Sequence, residues 1–281
     1  MIIWIASYPK SGNTWVRSLL STYLYTEDGS FNFNLLKKIL KFPSKIYLKY
    51  FTKDFSDIKK ISEYWISAQE RINLFNENKS LLLKTHSALC TLENNSFTNK
   101  QNTQAVIYIV RDPRNVITSI SHHYSLNIEE SYNFIINKNN MITQWGSETF
   151  GVATILGSWL DHYKSWKNLK FSPILIVKYE DLVNDTKKTF TSVLNFLENL
   201  MNIDINEKRI INTVNSCQFD VLAKKEKIEG FSESVTSKKD TEKINFFYLG
   251  EKNNWKNLLD PKIEKKIKEL FLNEMTELGY I

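Results

Sequence analysis

The sequence has little cysteine and no long apolar run, and each shortage excludes a class of protein. Two isolated cysteines, Cys90 and Cys217, among 281 residues are too few for a disulfide framework or a four-thiolate metal site. No apolar stretch approaches the roughly 20 residues that a membrane-spanning helix needs. Residues 1–8 also lack the charged start and the cleavage site of a signal peptide. We therefore expect a cytoplasmic protein without stable membrane insertion.

Neither sign of charge dominates the sequence. Lys and Arg total 37 against 31 for Asp and Glu, which gives a formal net charge of +6. This small excess favours anionic partners without choosing between nucleic acid, phospholipid and a small polyanion. Hydrophobic residues make up 42% and charged residues 24% of the chain, as in ordinary globular proteins. We expect a single domain over residues 1–281, with a substantial buried core.

Four short runs predict the strands of a buried parallel sheet, because they are almost continuously apolar rather than alternating. The runs are residues 2–6, 80–85, 105–110 and 173–179. Helix-start signals follow three of them, at Asn13 with Thr14, at Asp112 with Pro113, and at Asp185. The alternation predicts an α/β fold with a central parallel sheet flanked by helices. In such folds, ligands bind beyond the carboxyl ends of the strands.

Three other stretches depart from this alternation. Residues 26–75 and 127–150 are interpreted as helical insertions that could cover the site. Residues 229–245 are polar and weakly periodic, which predicts a mobile loop. After that loop, Asp260 and Pro261 predict the start of a last helix, whose apolar positions recur at helical spacing. Those positions are Ile263, Ile267, Leu270 and Phe271.

The segment PKSGNT at residues 9–14 has the features of an anion-binding loop. A strand that turns through it into a helix directs backbone N–H groups and the positive end of the helix dipole at one point, where phosphate or sulfate could bind. Lys10 precedes the loop's only glycine, Gly12, so the order is not that of a Walker A loop. Asp112 is better explained as a helix cap than as a magnesium ligand, which predicts chemistry without a metal. Alternatively, Gly12 only eases the turn and Lys10 is solvated.

Two further pairs of residues follow predicted strands. Lys84 and His86 are two positions apart at a strand end, so a cation and a proton acceptor face the same side. Arg111 ends another strand and can fork onto a phosphate, with Ser119 about two helical turns after the Asp112 start. The alternatives are a structural His86, an ion pair between Arg111 and a carboxylate, and an ordinary exposed Ser119.

These segments together resemble the cytosolic-type sulfotransferases, which move a sulfuryl group from 3'-phosphoadenosine 5'-phosphosulfate (PAPS) to an acceptor hydroxyl or amine. The matching segments, in family order, are SYPKSGNTW (7–15), KTH (84–86), YIVRDPRNVITSISHHY (108–124), GSWLDHYKSW (157–166), VKYEDL (177–182), CQFDVLAKKE (217–226) and GEKNNWKN (250–257). The resemblance implies the sulfotransferase fold, which is similar to that of P-loop nucleotide kinases. The resemblance is specific because these motifs occur together, in the family's order, over most of the chain.

The resemblance also implies roles for individual residues. The residues that the resemblance implies at the nucleotide are Lys10, Ser11, Gly12, Asn13, Thr14, Trp15, Arg111, Ser119, Tyr179 and Phe219. Lys10 and the loop would hold the 5'-phosphosulfate, and Arg111 with Ser119 the 3'-phosphate. The aromatic residues would lie at the adenine, although each could instead be core packing. His86 would be the general base, with Lys10 and Lys84 offsetting the charge that develops during transfer.

One position departs from the family pattern. Tyr248 and Leu249 stand before Gly250 where the family usually has Arg-Lys-Gly on the 3'-phosphate. The cations that could substitute are Lys238, Lys239, Lys252 and Lys256. Gly250 and Lys256 are therefore included as candidate nucleotide-binding residues.

The remaining histidines fall in two groups. Trp159, His162 and Trp166 are at helical spacing and predict core packing. His122 and His123 lack partners at metal-ligand spacing, so no metal site is predicted. The function expected is a PAPS-dependent sulfotransferase acting on a small-molecule, glycan or lipid acceptor and not on nucleic acid, with its oligomeric state open. The alternatives are an ATP-dependent phosphotransferase and a degenerate, non-catalytic protein that binds a bisphosphate nucleotide.

Overall fold

A four-stranded parallel sheet organises the computed structural model, which describes residues 1–143, 152–236 and 243–281. Its strands are β1 (Ile2–Ser7), β2 (Leu81–Thr85), β5 (Thr103–Val110) and β8 (Ile174–Lys178). Their spatial order is β2-β1-β5-β8. Two-residue strands form separate antiparallel hairpins: β3 (Thr91–Leu92) with β4 (Asn95–Ser96), β6 (Met141–Ile142) with β7 (Thr154–Ile155), and β9 (Val235–Thr236) with β10 (Lys243–Ile244).

Helices fill the connections between these strands. Before β5 the α-helices are α1 (Asn13–Tyr25), α2 (Lys45–Leu48), α3 (Ile58–Ser62) and α4 (Trp65–Phe75). Between β5 and β8 they are α5 (Pro113–Tyr124), α6 (Ile128–Ile136) and α7 (Trp159–Lys167). After β8 they are α8 (Tyr179–Asn184), α9 (Thr186–Met201), α10 (Glu207–Ser216), α11 (Phe219–Glu229), α12 (Trp255–Leu258), α13 (Pro261–Leu270) and α14 (Leu272–Glu277). Phe33–Lys38 and Gly250–Lys252 form 3-10 helices.

Both faces of the sheet are buried, which explains why its strands are continuously apolar. Successive side chains of a strand point to opposite faces. Trp4 of β1 packs into one hydrophobic cluster with Trp65 and Trp166. Ile3 and Ile5 of the same strand pack into a second cluster with residues of α1 and α9. The sheet therefore separates two hydrophobic cores, and polar side chains such as His86 and Arg111 follow the ends of its strands.

The strands and most helix starts predicted from the sequence are confirmed. Asp112, Asp185 and Asp260 each accept a hydrogen bond from the first turn of the helix that they cap. At α1 the prediction was wrong by one position, because Asn13 begins the helix and Gly12 is the cap residue. The Asn13 side chain is not available for capping, since it donates to the Ile5 carbonyl oxygen at 3.0 Å.

The C-terminal region and the other stretches differ in part from expectation. The helix that starts at Pro261 is not the last one, because α14 follows it, and Leu270 is 48% exposed rather than part of the core. Residues 26–75 contain a 3-10 helix with α2, α3 and α4. Residues 127–143 contain α6 and β6, and the rest of the predicted insertion, 144–150, lies outside the described residues. Within 229–245, residues 237–242 likewise lie outside them.

Candidate active site

The anion loop connects β1 to the start of α1 by a backbone that only a few residue types adopt. Lys10 has φ 64° and Gly12 has φ 101°, and the second value favours glycine. A Cβ on Gly12 would lie 2.6 Å from the Tyr179 ring, so a larger residue has no room. The loop therefore holds the N-terminus of α1 against the first residue of α8.

A cavity of about 630 Å³ lies where the sheet strands end. Residues that directly follow β2, β5 and β8, namely His86, Arg111 and Tyr179, line it together with the anion loop. The predicted site residues that line this cavity are Lys10, Gly12, Asn13, Thr14, Trp15, Lys84, His86, Arg111, Ser119, Tyr179, Phe219 and Gly250. The structure thus brings most of the predicted set to one place, as expected for the carboxyl edge of a parallel sheet.

Two predicted site residues do not line the cavity. Ser11 is fully buried in the loop, and its hydroxyl has no hydrogen-bond partner within the described part of the chain. Lys256 is exposed on α12, with its ammonium group 5.8 Å from the Trp255 ring centroid. The Lys256 side chain therefore lies over the Trp255 ring and not on the cavity wall.

His86 is held in one orientation and one tautomer. Its Nδ1 lies 2.7 Å from the Ser7 carbonyl oxygen, which can only accept, so Nδ1 carries the proton and Nε2 the lone pair of the neutral ring. Burial, and then the neighbouring Lys84 ammonium, hold the pKa of His86 well below its usual range. The ring is therefore neutral at physiological pH, with its lone pair on Nε2.

A second, buried histidine, His162, forms a hydrogen bond to the backbone of His86. His162 donates from Nε2 to the His86 carbonyl oxygen at 3.1 Å and accepts at Nδ1 from the Tyr108 hydroxyl at 2.9 Å. Burial lowers the pKa of His162 to about 4, in agreement with a neutral ring. His162 is fully buried, as are Trp159 and Trp166, which confirms the structural reading of this segment.

Two lysines, the half-buried Lys10 and the buried Lys84, face the cavity with lowered pKa values. Burial, and next the nearby Arg111, lower the pKa of Lys10 to about 7. Burial likewise lowers the pKa of Lys84 to about 8, although Glu233 opposes the shift. The Lys10 ammonium lies 3.8 Å from the centroid of the Phe246 ring, a cation–π contact. Both lysines would gain charge and stability if an anion entered.

Arg111 lies among aromatic and backbone groups rather than in an ion pair. Its guanidinium lies 4.0 Å from the Tyr179 ring centroid and donates to the Lys10 carbonyl oxygen at 3.1 Å. Its Nε is buried, and within the described ranges it has neither a hydrogen-bond partner nor a carboxylate within ion-pair distance. Trp15 meets Tyr179 edge-on at 5.8 Å. This arrangement leaves donors of Arg111 available to a phosphate.

The segment that departs from the family pattern packs without contributing a cation. Tyr248 stacks on His122 with ring centroids 3.6 Å apart, and Leu249 lines the cavity. Lys252 is exposed and, like Lys256, does not line the cavity. Lys238 and Lys239, the other suggested substitutes, lie outside the described residues.

Four charged residues that line this cavity were not predicted from the sequence: Arg17, Lys37, Lys41 and Glu233. Arg17 is three residues after Thr14 in α1, so helical spacing could have placed both on one face. Lys41 lies beside Lys84 because residues 40–42 pair with the edge strand β2, and no local pattern predicts this long-range contact. Glu233 belongs to the stretch that was interpreted as a mobile loop.

Glu233 contributes a carboxylate to a cationic part of the wall. Its Oε1 accepts from Arg17 at 2.6 Å, while its Oε2 accepts from the Thr14 hydroxyl at 2.8 Å and from Lys84 at 3.3 Å. Burial opposes ionisation, but Lys84 and Arg17 outweigh it and hold the pKa of Glu233 well below its usual range. The carboxylate is therefore ionised.

Neither a metal centre nor a membrane span is found in the part of the chain that the structure describes. There, no group of three or more His, Cys, Asp or Glu side chains is arranged to hold a metal ion. Nor is any helix within 1–143, 152–236 and 243–281 both long and apolar enough to cross a bilayer.

Comparison with known proteins connects this cavity to one family. Residues 2–279 match the model of the Sulfotransferase domain. Among curated proteins, the chain is 25% identical to Sulfotransferase 1B1 of Canis lupus familiaris over 280 residues, covering 97% of this chain and 82% of that protein. It is 26% identical to Sulfotransferase 1A1 of Bos taurus over 257 residues, covering 90% and 76%.

Solved structures show the same fold. The mouse sulfotransferase SULT7A1 complexed with PAP superposes with a TM-score of 0.57 at 22% identity, covering 97% of this chain and 83% of that one. Retinol dehydratase in complex with androsterone and inactive cofactor PAP also gives a TM-score of 0.57, at 16% identity, covering 98% and 80%. At these identities the likeness concerns the fold.

Proposed function

The chain belongs to the sulfotransferase domain family, and we propose that it transfers the sulfuryl group of PAPS to a hydroxyl or amine of its acceptor with His86 as general base. The observation that carries the proposal is the meeting of Lys10, Lys84, His86 and Arg111 at one cavity beside the N-terminus of α1. That set supplies cations for the charged nucleotide and a neutral imidazole for the acceptor proton.

The described residues fit a bisphosphate nucleotide. The buried Arg111 Nε is an unused donor among the described groups, and Gly12, Asn13 and Thr14 bring the N-terminus of α1 to the cavity wall, where backbone N–H groups can hold an anion. In the proposed complex the residues that hold PAPS are Lys10, Ser11, Gly12, Asn13, Thr14, Trp15, Arg111, Ser119, Tyr179, Phe219 and Gly250. The predicted Lys256 is left out of this set because it does not line the cavity.

The proposed reaction moves one proton and one sulfuryl group. His86 Nε2 takes the acceptor proton as the acceptor oxygen or nitrogen forms a bond to sulfur. The bond between sulfur and the bridging oxygen breaks, and the leaving phosphate of adenosine 3',5'-bisphosphate (PAP) takes the electron pair. Lys10 neutralises charge on the leaving oxygen, and Lys84 neutralises charge on the sulfuryl oxygens.

The rival functions have less support. An ATP-dependent phosphotransferase needs the Walker A order and a carboxylate that binds magnesium. Here Lys10 precedes Gly12, and the Asp112 carboxylate forms an ion pair with Arg114 at 2.6 Å. A non-catalytic nucleotide-binding protein would not need a neutral, oriented His86. A single domain, a small-molecule, glycan or lipid acceptor, and a cytoplasmic location remain predictions.

Replacing His86 by asparagine separates catalysis from nucleotide binding. The amide of the introduced asparagine can still donate to the Ser7 carbonyl oxygen, as His86 Nδ1 does, but the variant has no base at the Nε2 position. We expect His86→Asn to lower sulfuryl transfer by about 100-fold or more, since general bases contribute about 10²–10⁴-fold. Transfer from labelled PAPS into a cell extract, followed by mass spectrometry, measures the loss.

PAP affinity, measured by calorimetry, is the control for this variant and should change little. Near-normal transfer by His86→Asn would remove His86 from the mechanism. Absence of any transfer by the wild-type chain, together with tight PAP binding, would favour the non-catalytic alternative.

A further inference from the structure

The Glu233 carboxylate contacts residues that the proposed function assigns to the sulfuryl donor. Thr14 belongs to the anion loop and Lys84 to the catalytic strand, and both donate to Glu233 Oε2. Arg17 donates to the other oxygen, Oε1. The two carboxylate oxygens therefore take donors that would otherwise face the oxygens of a transferred sulfuryl group.

Arg17 is fixed for this contact by the backbone of the preceding insertion. Its Nη2 donates to the carbonyl oxygens of Leu36 at 3.1 Å and Ile39 at 3.2 Å, and the residue is only 5% exposed. Those two contacts occupy one terminal nitrogen and leave Nη1 directed at Glu233. A buried guanidinium held in this way is a built anion site rather than a solvated surface charge.

We propose that Glu233 occupies the position of the transferred sulfuryl group, that Arg17 is a further ligand of that group, and that PAPS binding expels the carboxylate. The inference rests on the proposed function, because it needs PAPS as the donor. Two anions cannot share this buried set of donors, since like charges in contact repel strongly there. PAP lacks the sulfuryl group, so it can bind while Glu233 remains in place.

The difference between PAPS and PAP supplies the test. Calorimetry with Glu233→Gln should show PAPS binding about tenfold or more tighter than in the wild type, since a charged competitor with several hydrogen bonds has been removed. PAP affinity should change much less. Glu233→Ala should show the same change in the PAPS to PAP affinity ratio, and a thermal melt of each variant verifies folding.

Two further variants complete the experiment. Glu229→Gln removes the same charge from the same region, where Glu229 pairs with Lys225 on an exposed face, and should leave both affinities unchanged. Arg17→Met in the Glu233→Gln background should lower the PAPS to PAP ratio by about tenfold. An unchanged ratio in Glu233→Gln, or an equal gain for both ligands, would overturn the inference. Failure of the wild type to bind either nucleotide would instead overturn the proposed function and, with it, this inference.

Discussion

Lys10 is the residue at which burial and charge compete most directly in this site. Burial and Arg111 lower its pKa to about 7, so near neutrality it is only partly protonated before nucleotide binds. A phosphate or sulfate beside it favours the charged form and raises that pKa. Nucleotide binding should therefore be coupled to proton uptake by this lysine.

The coupling predicts the pH dependence of PAP affinity. Because the bound state holds the extra proton more tightly, affinity is greatest below the free pKa of about 7 and falls as pH rises above it. We expect a loss of about tenfold or more between about pH 7 and about pH 9, where the phosphates are already ionised. Calorimetry at constant ionic strength measures the change.

Lys10→Arg is the matched variant for this measurement, because arginine stays protonated throughout that range. Its affinity for PAP should depend less steeply on pH, with the remaining slope due to Lys84, whose pKa burial lowers to about 8. An equally steep dependence in Lys10→Arg would assign the titration to another group.

Local sequence context was sufficient to bring together those candidate site residues that lie at or shortly after the ends of strands. Lys10, His86 and Arg111 could be placed together because the ends of parallel strands meet at one edge of the sheet. Lys41 and Glu233 could not, because the pairing of residues 40–42 with β2 and the path of the segment after α11 depend on long-range contacts. The exposed position of Lys256 also depends on how α12 packs.

At the scale of elements, the turn from β1 into α1 depends on glycine for two separate reasons. Gly12 has φ 101°, and a Cβ there would lie 2.6 Å from the Tyr179 ring. Gly279, near the C-terminus, has φ 72° with nothing within 4 Å of an added Cβ. The second glycine therefore shares the conformational requirement of the first without its close contact.

Replacing each of these glycines by alanine separates the free-energy cost of the left-handed backbone from that of the close contact with Tyr179. Gly279→Ala should lower the free energy of unfolding by about 1 kcal/mol, for the left-handed backbone alone. Gly12→Ala should cost about 1–3 kcal/mol more, because Tyr179 must move, and it should also weaken PAP binding. Denaturant unfolding and calorimetry measure both effects. Equal losses of stability in the two variants would mean that the Tyr179 ring can move aside at no cost in free energy.

Element boundaries were predictable where a side chain caps a helix or where an apolar run ends. Asp112, Asp185 and Asp260 cap their helices as predicted. The α1 boundary was shifted because Asn13 reaches back to Ile5 instead of capping. That contact connects the helix to the strand before it, so it depends on tertiary structure and not on local spacing.

At the scale of the whole molecule, the cavity exists only when distant parts of the chain are assembled. Its wall combines the loop after β1, the ends of β2 and β5, the start of α8 and residues of α11. The family resemblance could predict this assembly because its motifs are spread over the same segments. A nucleotide that binds here therefore binds the folded chain and has no site in the unfolded one.

Such binding must stabilise the whole fold. PAP at about 100 times its dissociation constant should raise the free energy of unfolding by about 2.7 kcal/mol, which for a chain of this size raises the melting temperature by about 5 °C. ATP lacks the 3'-phosphate that Arg111 is proposed to hold, so at the same concentration, with or without magnesium, it should shift the melting temperature much less. Thermal unfolding followed by circular dichroism compares the ligands. A larger shift with magnesium and ATP than with PAP would favour the phosphotransferase alternative, because only that chemistry requires the metal and a terminal phosphate.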